Sequence, residues 1–116
     1  MMDKNIRIAC LLDTYGAFLT DKQRGLMELH YNDDLSLAEI AGQTGITRQG
    51  AHDALKRASE ALERYEARLG LMEIRDILGR LAELVDGKES LGGEDTARLK
   101  AALKQALEVT EGGNGL

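Results

Sequence analysis

Five polar side chains within one short segment could together contact a negatively charged partner. Arginine and glutamine can form bidentate hydrogen bonds to guanine and adenine, and lysine or arginine can pair with phosphate. In a helical conformation, these side chains would lie mostly away from the apolar residues of the same segment. The candidate binding residues are Arg48, Gln49, His52, Lys56 and Arg57.

The same residues also fit a solvated helix face or a protein-binding face, and the sequence leaves these interpretations open. Asp53 lies among them and would repel phosphate. The chain has 15 Lys and Arg residues against 20 Asp and Glu residues, and its net charge is −5. This balance argues against a strongly basic nucleic-acid binder, because neutralising many phosphates requires a basic surface. It leaves room for a local basic face.

The segment Leu37–Lys56, which carries these residues, is typical of a helix-turn-helix. Ala41 is small, as the close approach of two helices requires, and Gly45 suits the left-handed residue that ends the first helix. Ile46 is the apolar residue of the turn, and Thr47 is a favourable N-cap for the second helix. A helix-turn-helix presents its second helix to a partner, most often the major groove of DNA. The motif therefore indicates a binding module.

Composition and residue spacing predict an all-α protein, with a helical N-terminal domain and long amphipathic C-terminal helices. Proline is absent, helix-forming residues dominate, and no segment alternates as a strand does. Thr20 with Gln23 and Ser36 with Glu39 are typical capping boxes at helix starts. The predicted helices cover about residues 4–18, 21–31, 37–44, 48–69, 71–85 and 94–109.

Gly70 divides the chain into two predicted parts. Residues 1–69 form the helix-turn-helix domain, and residues 70–116 form a helical extension for packing or dimerisation, with a glycine-rich tail at 112–115. The apolar stripes around this boundary are long for one small domain to cover, so we expect a homodimer. A monomer that folds back on itself is the alternative. The predicted dimer surface comprises Leu62, Tyr65, Leu69 and the apolar side chains of residues 71–85.

No residue pattern predicts catalysis, a cofactor or a metal site. His30 and His52 match no standard zinc spacing, and Cys10 is the single cysteine. The sequence lacks a glycine-rich phosphate loop, a nucleophile elbow and paired catalytic carboxylates. Cys10 lies in a short apolar run, where we expect a buried thiol, and there is no signal-peptide pattern. These features predict a cytoplasmic, non-enzymatic protein without a cofactor or membrane insertion.

Three segments resemble the YlxM family of small bacterial proteins. They are Leu12–Arg24, which contains Tyr-Gly-Ala and Thr-Asp-Lys-Gln-Arg, then Leu29–Ala41 and Thr47–Arg57. The resemblance covers roughly residues 6–69 and implies a helix-turn-helix similar to region 4 of sigma factors. The family is associated with the signal recognition particle pathway, largely because its genes lie beside that of the particle's GTPase. The resemblance thus implies an accessory or regulatory role.

The helix-turn-helix and the family resemblance leave two main functional hypotheses. A purely structural oligomer is a third and weaker hypothesis. The first is an accessory protein of the signal recognition particle that binds its GTPase, its RNA or both. The second is a DNA-binding transcriptional regulator. Net acidity favours the first, because the GTPase is expected to carry a basic RNA-binding surface that attracts an acidic partner.

Overall fold

The computed structural model describes residues 3–88 and 90–112, of which 111 and 112 are described by their backbone only. Six α-helices account for most of these residues, and no strand occurs among them, so the predicted all-α class is confirmed. The helices are α1 (Lys4–Tyr15), α2 (Asp21–Tyr31), α3 (Leu37–Thr44), α4 (Arg48–Leu69), α5 (Leu71–Val85) and α6 (Gly93–Gly112).

Helices α2, α3, α4 and α5 have the predicted bounds, but the first and last helices differ. The prediction of one helix over residues 4–18 was wrong, because α1 ends at Tyr15 and Gly16–Phe18 forms a 3-10 turn. The backbone is extended at Leu19 and Thr20, as the N-cap of α2 requires, so the chain must leave α1 before that point. Helix α6 also extends past the predicted 94–109 at both ends. The predicted glycine-rich tail lies outside the described residues from position 113 onward.

Both predicted capping boxes are present. The Thr20 hydroxyl accepts from the Gln23 backbone N–H and the Gln23 side chain accepts from the Thr20 backbone N–H, each at 3.1 Å. Ser36 and Glu39 form the same reciprocal pair, also at 3.1 Å. A Ser or Thr cap is typically worth about 1 kcal/mol, and it satisfies backbone donors that would otherwise lack a partner. These local contacts therefore fix where α2 and α3 begin.

The chain divides into two compact units, Met1–Tyr65 and Glu66–Leu116. In the first unit, every helix contributes to the buried apolar side chains. Helices α1 and α2 bury one apolar face each, whereas Ile6 and Phe18 are 57% and 59% exposed. Leu62 is fully buried, so its predicted place on a dimer surface was wrong. The buried residues of this unit are Ile8, Leu11, Leu12, Tyr15, Leu19, Leu26, Met27, Ile40, Ala51, Leu55, Ala58, Ala61 and Leu62.

An ion pair joins α1 to α4 within the first unit. The Arg7 guanidinium donates to both carboxylate oxygens of Glu63, each at 2.8 Å. These hydrogen bonds hold the pKa of Glu63 below its ordinary value of 4.5. The bidentate geometry makes this contact more specific than a typical surface ion pair.

Replacing Glu63 by glutamine should remove a pH-dependent contribution to stability. Because the folded pKa of Glu63 is lowered, the contribution is complete above 4.5 and is lost as the pH falls through the folded pKa. Both side chains are 42% exposed, so we expect a difference of no more than about 1 kcal/mol at neutral pH. Urea unfolding of both proteins, at neutral pH and in acid, measures it. A difference that persists in acid would show that ionised Glu63 is not its source.

The second unit is a helical hairpin in which α5 packs on α6. Gly70 precedes α5 with a φ of +64°, and a Cβ there would lie 2.7 Å from Cγ1 of Val109. The Glu66 carboxylate accepts from the backbone N–H groups of Met72 and Glu73, at 3.0 and 3.2 Å. Glu66 thereby caps the first turn of α5 from the preceding helix. Among the described residues, no helix is long and apolar enough to cross a membrane.

Candidate helix-turn-helix binding surface

The turn between α3 and α4 has the predicted geometry. Gly45 is left-handed, with a φ of +79°, and its N–H donates to the Ala41 carbonyl at 3.0 Å. The Thr47 hydroxyl accepts from the Gly50 N–H at 2.9 Å, which caps α4. Only residues 45–47 separate the two helices, so α4 is the second helix of a helix-turn-helix and occupies the position of a recognition helix.

Gly50 has a local structural role that the sequence did not reveal. A Cβ at this position would lie 2.9 Å from the Thr47 hydroxyl oxygen, closer than real Cβ contacts occur. A side chain here would require a small shift of the Thr47 hydroxyl, to the 3.1 Å spacing that the caps of α2 and α3 have with Gln23 and Glu39. The glycine lets the Thr47 hydroxyl approach the first turn of α4 slightly more closely.

All five predicted binding residues lie on the exposed side of the first three turns of α4. Ala51 and Leu55 are buried on the other side of the same turns. Residues four positions apart on a helix are neighbours, so the exposed side chains form two adjacent rows. One row is Arg48, His52 and Lys56, and the other is Gln49, Asp53 and Arg57. We call the five predicted residues the recognition face: Arg48, Gln49, His52, Lys56 and Arg57.

The carboxylate of Asp53 is held within this surface by its neighbours. The Gln49 amide donates to Asp53 Oδ1 at 2.9 Å, and His52 Nδ1 lies 3.4 Å from the same oxygen. These hydrogen bonds, from Gln49 first and then His52, lower the pKa of Asp53, and the charge of Arg57 acts in the same direction. Asp53 is therefore ionised at neutral pH, and it engages the amide that would otherwise be available to a base.

The three strong cations of the recognition face are less engaged. Arg48, Lys56 and Arg57 are exposed. In the part of the chain that the structure describes, none of them forms an ion pair within 4.0 Å. Their charges are available to an incoming partner at little desolvation cost.

A groove of about 850 Å³ in the first unit borders the recognition face, which contributes His52 and Lys56 to it. Ile8 and Leu55, both buried, form part of its lining. Arg64 lies there too, eight residues after Lys56 on α4 with Glu60 between them, so helical periodicity could have revealed it. Lys4 comes from α1, and no local sequence signal connects it to this surface. The charged side chains of the groove are Lys4, Lys56, Glu60, Glu63 and Arg64, and His52 lies among them.

Comparison with known proteins identifies the family. Residues 2–101 match the model of the UPF0122 family, described as "Putative helix-turn-helix protein, YlxM / p13 like". The chain belongs to the UPF0122 family. The resemblance to YlxM is thereby confirmed, and the description of the family agrees with the helix-turn-helix of α3 and α4.

Several UPF0122 proteins match over nearly their whole length. The chain is 41% identical to the UPF0122 protein of Clostridium kluyveri over 107 residues, which cover 91% of this chain and 96% of the relative. It is 43% identical to the UPF0122 protein of Desulforamulus reducens over 107 residues, covering 88% and 92%. It is 41% identical to that of Halalkalibacterium halodurans over 115 residues, covering 96% and 100%. The similarity thus includes the C-terminal helices as well as the helix-turn-helix.

Proposed function

We propose that this chain is a non-enzymatic accessory protein of the signal recognition particle pathway. In this proposal the recognition face docks on the RNA of the particle, on its GTPase, or on both. The observation that carries the binding role is the set of three exposed cations, free of ion pairs among the described residues, on the second helix of a helix-turn-helix. The pathway itself rests on the resemblance to the YlxM family.

The charge distribution supports a modest interaction with RNA. Arg48, Lys56 and Arg57 can each neutralise one phosphate, whereas Asp53 opposes the approach of the backbone. Three phosphate contacts would give a salt slope of about −2 on single-stranded RNA, at roughly −0.7 per contact. Binding through this face should therefore weaken visibly as salt is added.

The overall acidity supports docking on the GTPase. The chain carries a net charge of −5, and the recognition face holds three of its 15 Lys and Arg residues. A GTPase that binds RNA is expected to carry a basic surface, which would steer an acidic chain toward it. In a ternary assembly, the recognition face could contact RNA while acidic surface elsewhere faces the GTPase.

A DNA-binding regulator is the second candidate, and the position of two side chains favours it. Arg48 and Gln49 occupy the first turn of α4, and helix-turn-helix proteins contact base edges from this part of the recognition helix. Arginine reads guanine and glutamine reads adenine through bidentate hydrogen bonds. The hydrogen bond from Gln49 to Asp53 would have to open for such a contact.

Direct binding measurements separate these functions. The RNA and GTPase of the organism's signal recognition particle, and duplex DNA of mixed sequence, are titrated separately with the chain at low and moderate salt. We expect the RNA or the GTPase to bind at least about tenfold more tightly than DNA, a difference of about 1.4 kcal/mol. DNA binding that equals or exceeds both would favour the regulator. If neither the RNA nor the GTPase binds, the accessory role is wrong.

A further inference from the structure

The helical hairpin of the second unit buries little of its own apolar surface. Ile77 is fully buried, and Ile74, Leu81 and Leu84 are half-buried. Among the described residues of α6, no side chain is fully buried. A helix must bury its apolar stripe against another element, and two helices alone form a small core. The hairpin therefore has apolar surface left over.

That surplus forms an ordered stripe along α5. Leu71, Leu78 and Val85 are 45%, 55% and 42% exposed, and they recur at intervals of seven residues. Ile74 and Leu81 follow the two leucines at a distance of three residues. This is the heptad pattern with which one helix packs along another that has the same repeat. We call Leu71, Ile74, Leu78, Leu81 and Val85 the α5 seam.

We infer that a second copy of this chain covers the α5 seam, so that the protein is a homodimer through α5. A heptad stripe fits a helix with the same repeat, and the α5 of a second copy has that repeat by identity. A two-fold symmetric contact pairs the same surface on both subunits. Leu78 is the middle residue of the seam, so it lies beside its counterpart in a two-fold contact that is centred on the seam.

The charges on α5 are compatible with self-association. The helix carries two arginines and three carboxylates, so its net charge is close to zero. Asp76 and Arg80 already pair within the helix, at 3.5 Å. A second copy would therefore meet no strong repulsion of one sign. A strongly charged partner would gain little electrostatic attraction from this nearly neutral helix. The charge of α5 therefore favours pairing with a second copy.

The mass of the full chain in solution tests this inference. Light scattering coupled to size exclusion, at micromolar concentration, should give twice the chain mass of 12.7 kDa. Leu78→Glu should give a single-chain mass, because it places two carboxylates at the centre of the contact. Ile6→Glu is the control: Ile6 is 57% exposed but lies on α1, so this variant should remain dimeric. A single-chain mass for the wild type, or a dimeric Leu78→Glu variant, would overturn the inference.

Two further variants distinguish the loss of a dimer contact from a change in folding. Leu78→Ala keeps the helix and should raise the dimer dissociation constant by about tenfold, the effect of losing roughly 1.4 kcal/mol of apolar contact. Circular dichroism should show wild-type helix content for Leu78→Glu and for Leu78→Ala. Leu78→Cys combined with Cys10→Ser should form an interchain disulfide under mild oxidation. If the chain is dimeric but this disulfide does not form, the dimer uses another surface.

Discussion

Replacing Arg48, Lys56 and Arg57 together by alanine should abolish detectable binding of the chain to nucleic acid. The three side chains are the exposed strong cations of the recognition face, and the structure gives them no competing ion pair among the described residues. In a chain with a net charge of −5, losing three positive charges leaves little to attract phosphate. Fluorescence anisotropy with labelled particle RNA, repeated over a salt series, measures both the affinity and the salt slope.

Asp53→Asn supplies a matched control on the same surface. It lies between the same side chains, and its carboxylate opposes phosphate, so the variant should bind nucleic acid about two- to fivefold more tightly, the small effect expected for a solvent-screened charge. Both variants change exposed or half-exposed positions and should keep the wild-type unfolding midpoint. If the triple variant binds RNA, DNA and GTPase as the wild type does, the binding site lies elsewhere on the chain.

The elements that the sequence predicted well are those that local chemistry determines. The N-cap at Ser36 and the left-handed Gly45 together set both ends of α3, because each acts within four residues along the chain. Thr20 similarly fixes the start of α2. The exposure of the five side chains of the recognition face was predictable for the same reason, since helical spacing alone separates them from the buried Ala51 and Leu55.

What escaped prediction depends on contacts between distant parts of the chain. Arg7 and Glu63 are 56 positions apart, and no pattern in the sequence around either residue predicts that the two pair. Lys4 reaches the groove beside the recognition face only because α1 packs near α4. Leu62 was predicted to lie on a dimer surface, but it is fully buried within the chain. Periodicity indicates only that a helix face is apolar and does not identify what covers that face.

Ile40→Ala should cause a large loss of stability in the binding motif. Ile40 is fully buried and is the one buried residue of α3, an eight-residue helix too short to be stable by itself. Truncation removes its apolar contacts and leaves a cavity, at a cost of about 2–5 kcal/mol. Urea unfolding followed by circular dichroism measures the change.

Gln43→Ala on the same helix is the matched control. Gln43 is exposed, and alanine is a good helix former, so its effect should stay within about 0.5 kcal/mol. A cost below ~1 kcal/mol for Ile40→Ala would show that the capping box and Gly45 hold α3 in place without this side chain. The expected result has a consequence for binding, because α3 and the turn after it fix the start of α4. Even where the variant remains mostly folded, a loosened α3 should weaken binding through Arg48, which lies in the first turn of α4, more than binding through Arg57, which lies more than two turns away.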